Sequence, residues 1–167
     1  DILVDSDISN GVSEFSAKAI HYFSAKAKHQ FNLGADFTYN SSFLVRDTSD
    51  VNLRTDRIDA QRLGGFVQDN ISISDKINLQ AGFRFDLMED TKKVYLQPRL
   101  NLSFEPLEKW KFNLAYGIYN QFISKNTLID NLNNFLYIWE IADNRKIPVI
   151  SSQHYVAGIS HTNQNIK

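Results

Sequence analysis

Four histidines, His21, His29, His154 and His161, are the metal-ligand candidates by type. None falls in HExxH or another ligand spacing, so they read as solvated interface residues. Cysteine is absent, which excludes a disulfide framework and a thiolate metal site. No serine sits in a G-x-S-x-G elbow. Gly64-Gly65 is not followed by Gly-Lys-Ser/Thr, so it is no phosphate loop. Glu89-Asp90 is a carboxylate pair beside Lys92 and Lys93, with no partner acid placed across a cleft. The chain carries no enzyme signature. Neither a metal nor a cofactor is expected.

Two groups of residues could recognise rather than react. Arg84, Asp86, Gln97 and Arg99 fall on the polar side of two neighbouring strands. There the arginines can lie opposite or diagonal to each other. Local pairing with Asp86, or hydrogen bonding to Gln97 and Tyr95, is the first expectation for them. The second group lies in the segment 121–148, which holds Asn126, Asn131, Asn133 and Asn134 and then Phe135-Leu136-Tyr137-Ile138-Trp139. Asn133, Asn134, Phe135, Tyr137 and Trp139 are the ligand-contact candidates, because Asn-rich turns with aromatics suit sugar or planar-ligand stacking. Leu128, Ile129, Leu132 and Ile141 can instead bury those rings, and that packing is the first expectation.

The elements that must carry these groups repeat with period two. In 28–40, Phe31, Leu33, Ala35, Phe37 and Tyr39 oppose Gln30, Asn32, Gly34, Asp36, Thr38 and Asn40. The alternation returns in 77–87, 94–104 and 110–118. Weaker copies occupy 13–23, 57–73 and 149–161, the second with a phase loss and an expected bulge at Gly64-Gly65. The reading is all-β: an antiparallel up-and-down meander of about seven long strands, each beside its sequence neighbour. Short turns fall near 24–27, 74–76 and 105–109, and longer or more polar links near 44–56, 88–93 and 121–148. The best helical stretch is 124–141, too short to cover such a sheet.

Composition narrows the class. The 167 residues carry a net charge of −1, which gives no footprint for nucleic acid. No apolar run reaches the ~18 residues of a membrane helix, a test to which barrels are blind. The clean strands match the ~9–11 residues of a tilted bilayer crossing. Short turns at one end and long links at the other fit a transmembrane barrel with periplasmic and extracellular ends. Aromatics at strand ends, Phe23 with Phe31 and Phe104 with Trp110, fit an interfacial girdle. A soluble sheet would need a second layer over its apolar face, and no segment supplies one. The start at Asp1 and the polar end read as a segment of a longer protein.

Several of these motifs together resemble a known family. Phe66-Val67-Gln68-Asp69-Asn70, the run I-N-L-Q-A-G-F-R-F-D from Ile77 to Asp86, Gln97-Pro98-Arg99, Tyr116-Gly117 with Tyr119-Asn120-Gln121, and Ser152-Gln153-His154-Tyr155-Val156-Ala157-Gly158 resemble, in order, the barrel of TonB-dependent outer-membrane receptors, closest to the Bacteroidetes type. The resemblance runs over residues 11–167, so the whole of 1–167 is read as a partial receptor barrel. It implies a bacterial outer-membrane location and transport of a scarce nutrient: an iron chelate, cobalamin or an oligosaccharide. It also implies contact with membrane lipid or lipopolysaccharide, and a plug domain and TonB as partners outside this chain. Arg84 and Arg99, with Gln97 and Asp86, would face the lumen and the plug. The family's barrel has about 22 strands, so these would be a portion of one. Two other readings stand beside it. One is a small outer-membrane barrel with a structural or adhesion role. The other is a soluble β-sheet module for lipid or carbohydrate, which would leave a Phe-rich face exposed.

Overall fold

The computed structural model describes residues 6–25, 28–48, 54–129, 133, 135–143 and 146–162. Among the described residues nine strands are seen: β1 (Ser6–Ala25), β2 (His29–Thr48), β3 (Arg54–Ser74), β4 (Ile77–Met88), β5 (Lys93–Leu107), β6 (Trp110–Gln121), β7 (Ile123–Ile129), β8 (Phe135–Ile141) and β9 (Ile150–His161). Seven form one sheet in the order β1-β2-β3-β4-β5-β6-β9, every pair antiparallel. β7 and β8 form a separate hairpin. The meander expected from the period-two pattern is therefore present, with β9 as its seventh strand.

Four details differ from the sequence reading. The described residues of 124–141 form no helix but the hairpin β7-β8, paired from Ile123↔Ile141 to Ile129↔Phe135. Leu128, Leu132 and Leu136 mimic helical spacing. The β-branched Ile123, Thr127, Ile129, Ile138 and Ile141 favour an extended backbone. Asn133, at φ 64°, takes the left-handed conformation that asparagine tolerates.

The link 44–56 is mostly strand. β2 and β3 pair on through Leu44↔Asp56 to Arg46↔Arg54. Apolar and polar residues stop alternating there, while the ladder pairing continues. The link 88–93 is a turn closed by Met88↔Lys93. Finally, the register runs unbroken through Gly64 and Gly65 on both sides, and the irregularities lie at Ser72/Ser74 and Phe104/Leu107.

The glycines of β3 serve close approach instead. Gly65 pairs with Phe85, and a Cβ on it would meet the Phe85 ring at 2.7 Å. The same arrangement sets Phe66 over Gly34. A ring laid across a bare backbone fills the gap the glycine leaves and helps pin the register. Gly65→Ala is therefore expected to push the half-exposed Phe85 ring aside and cost about 0.5–1.5 kcal/mol. Denaturant titration should show most of that loss relieved by adding Phe85→Leu.

Burial is inverted relative to a water-soluble sheet. The buried polar residues Thr38, Asn40, Ser42, Asp86 and Gln97 all belong to one face. The opposite face presents Phe15, Leu33, Leu63, Phe83, Phe85, Leu96 and Leu114, all exposed, and mid-strand Leu100 is 47% exposed. An apolar face this extensive, over a sheet whose ladder bonds are satisfied strand to strand, suits hydrocarbon as solvent.

The limits of that belt are marked by side chains. At the short-turn end Phe23 stacks on Phe31 at 5.1 Å, and Trp110 lies 4.6 Å from His161. There His29 Nδ1 is 2.7 Å from an Asp69 carboxylate oxygen. At the other end the apolar face gives way to Tyr39, Asp59 and Arg57. The Tyr39 hydroxyl donates to Asp59 at 2.9 Å and Arg57 Nε at 3.1 Å. The Ser41 hydroxyl, then that of Tyr39, then Arg57 hold the Asp59 carboxyl below its usual range, although burial opposes them. An ion pair on this face belongs outside hydrocarbon. β1, β2 and β3, of 20, 20 and 21 residues, have about twice the length of a tilted crossing and so project beyond the belt.

Candidate functional site

Two constellations stand on the polar face. The first is an ion cluster on β2 to β5. Asp36, Gly64 and Asp86 share one row across three strands, and Gly34, Phe66, Arg84 and Gln97 the next. Arg84 reaches both carboxylates. Its Nη2 donates to Asp36 at 2.8 Å and to Asp86 Oδ1 at 2.6 Å, while its Nε donates to Asp86 Oδ2 at 2.9 Å. Gln97 Nε2 donates to Asp86 at 2.5 Å, and Arg99 donates to Gln97 Oε1 at 3.3 Å. Gly64 lies beneath: a Cβ there would run into the Asp36 carboxylate and the Arg84 guanidinium. A side chain at that position would wedge the ion pair apart.

Asp86 is 1% exposed, so its charge is held by donors and not by water. Arg62 adds a third cation. Its Nε lies 3.4 Å from Asp86 without the alignment of a hydrogen bond, and its guanidinium sits 4.2 Å over the Phe122 ring. Arg99 differs from Arg84. Among the described residues it meets no carboxylate within ion-pair distance, only Gln97 and the face of Tyr119 at 4.8 Å.

All four of Arg84, Asp86, Gln97 and Arg99 are thus brought together as the sequence pattern implied. Asp36 and Arg62 were missed. Both stand in polar register, but only the cross-strand register sets Asp36 beside Arg84, 48 residues away.

The second constellation is the hairpin β7-β8, which lies over the polar face. Phe122, at its base, meets Tyr95 edge-on at 5.4 Å, and β8 packs against β1, β2 and β3. Ile138, Ile141, Ala142, Phe122, Met88 and Ala60 are buried. The other side of the hairpin carries Phe135, Tyr137 and Trp139, paired with Ile129, Thr127 and Lys125. These rings are 66%, 62% and 43% exposed. Their expected burial is therefore overturned: Ile129 is itself exposed beside Phe135, and Ile141 is buried at the hairpin's base. Alternation sends Ile138 inward and the three rings outward.

The Lys125 ammonium lies 4.5 Å over the Tyr137 ring. Sequence reasoning had not singled out Lys125, which only the hairpin register sets opposite Trp139. Asn133 is exposed at the turn, and Asn134 lies outside the described residues. Among the described residues no group of three His, Asp or Glu side chains is placed to hold a metal ion.

The comparisons agree with this geometry. The chain is similar to the siderophore receptor PirA from Acinetobacter baumannii, with a TM-score of 0.62 and 11% sequence identity. The match covers 94% of this chain and 25% of that one, so the chain spans about a quarter of that receptor's length. At this identity the likeness speaks for the fold. No curated protein matches the chain. The family described as TonB dependent receptor-like, beta-barrel matches residues 4–139, most of the sequence and all of β1 to β7. The inverted burial and the sequential meander are thus those of a receptor barrel wall, and the chain belongs to the TonB-dependent receptor β-barrel family.

Proposed function

We propose that this chain is a wall segment of an outer-membrane receptor that takes up a scarce nutrient: an iron chelate, cobalamin or an oligosaccharide. Uptake would draw on TonB, with a plug domain in the lumen. The observation that carries this reading is the pairing of an exposed apolar face with a polar face that bears an exposed aromatic hairpin. Phe135, Tyr137 and Trp139, with Lys125 beside them, offer stacking surfaces and one cation at the projecting end of the sheet. Asn133 at the turn, and Asn134 next to it in sequence, would add amide hydrogen bonds to a ligand.

The two arginines divide the work. Arg84 is satisfied by Asp36 and Asp86, and so braces the wall. Arg99 keeps donors to spare and would meet a plug carboxylate, with Gln97 holding it in place.

Calorimetric titration of the full-length receptor tests the ligand face, using a ferric chelate, cobalamin and an oligosaccharide in turn. Tyr137→Ala and Trp139→Ala should each weaken binding of the one that binds, roughly tenfold, while leaving the barrel's melting unchanged. Unaltered affinity in both variants would remove the hairpin from the ligand path.

A further inference from the structure

The hairpin is fastened at an unusual point. β8 has one edge on β7, and its other edge faces the sheet. At that edge the Trp139 N–H donates to Asn10 Oδ1 at 2.6 Å, and Asn10 Nδ2 donates to the Trp139 carbonyl at 3.2 Å. The same Nδ2 also donates to the Phe43 carbonyl at 2.8 Å.

In a strand the N–H and C=O of one residue point to the same side. Both such groups of Trp139 are turned away from β7, and one side-chain amide satisfies both, as a neighbouring strand would. Asn10 and Trp139 are 129 residues apart in sequence. The Trp139 ring itself stays on the exposed face.

We infer that Asn10 is a positioning residue, which clips β8 to the wall and thereby fixes the direction in which Trp139, Tyr137 and Phe135 present their rings. The inference rests on the reading of that face as the ligand surface. The residue type is specific. An amide is both donor and acceptor, whereas an aspartate would turn a charged acceptor on the Trp139 carbonyl. The base of the hairpin is held separately, through buried Ile141 and Ala142 and the Ala142 N–H to Phe122 carbonyl bond at 2.9 Å, while Ile138 packs inward next to Trp139. Loss of the clip would therefore loosen β8 around Trp139 without unfolding the wall.

Hydrogen exchange on the full-length receptor in lipid nanodiscs, without ligand, tests the clip. Asn10→Ala should speed exchange across β8 roughly tenfold and leave β4 to β6 unchanged. Asn10→Asp should do the same. Asn10→Gln, which keeps both amide functions, should restore most of the protection. Binding of a ferric chelate, cobalamin or an oligosaccharide, whichever the receptor takes, should weaken severalfold in Asn10→Ala and recover in Asn10→Gln.

Unchanged exchange in Asn10→Ala overturns the inference, as does faster exchange with unchanged affinity when Trp139→Ala does weaken binding. If Trp139→Ala leaves binding intact while Asn10→Ala still loosens β8, the ligand reading has failed and the clip has not.

Discussion

Asp86→Ala is expected to cost the folded wall about 3–5 kcal/mol, the loss typical of breaking a buried ion pair from one side. Asp86 is closed off from solvent and takes three donated hydrogen bonds, two from Arg84 and one from Gln97. Without it Arg84 retains only Asp36, and Arg62 loses the nearest opposite charge. The penalty comes from the cations left behind. The pair Asp86→Leu with Arg84→Met should therefore cost clearly less than Asp86→Ala alone. Urea titration of the full-length receptor in lipid vesicles measures all of these. A loss under 1 kcal/mol for Asp86→Ala would show that water reaches the cluster and screens it.

Leu100→Arg is the second large effect, and it separates lipid from water as the solvent of the apolar face. Leu100 lies mid-strand in β5, between Pro98 and Leu102 on the same face. In a bilayer an arginine near the midplane should cost about 2–4 kcal/mol. In water an exposed leucine changed to arginine should stay within about 0.5 kcal/mol. Asn101→Arg is the matched control, one residue along and on the opposite face. The same titration in vesicles should show a large loss for the first and a small one for the second. Equal small losses would mean that water bathes both faces.

Legibility in the sequence followed the contrast between the two faces. In 77–87 and 94–104 one face meets hydrocarbon and the other a polar interior. Every second residue is thus constrained, and the strand shows plainly. In the outer parts of β2 and β3 the hairpin covers one face, where Ser42 is buried, and polar residues stand on the other. Apolar and polar residues do not alternate cleanly there, as in Leu44-Val45-Arg46, so 44–56 reads as a link.

The hairpin β7-β8 failed for another reason. Phe135, Tyr137 and Trp139 do alternate, but Leu128, Leu132 and Leu136 carry an equally good helical spacing. Only the partner strand decides between them. The ion cluster was half legible. Arg84, Asp86, Gln97 and Arg99 follow from one hairpin's register, whereas Asp36 requires the register of two more strand pairs.

The excursion between β6 and β9 also bears on how the chain assembles. Residues 75–76 are all that separate β3 from β4, so that pair can zip locally. Residues 122–149 stand between β6 and β9, and bringing those ends together as an open loop costs roughly 2 kcal/mol more in chain entropy. β7-β8 reduces that cost if it forms first. Its ladder, and the Ala142 to Phe122 bond behind it, join the two ends of the excursion and leave only residues 143–149 to span the gap. The segment that displays the aromatic face thus doubles as a folding shortcut, drawing β9 to the edge of β6.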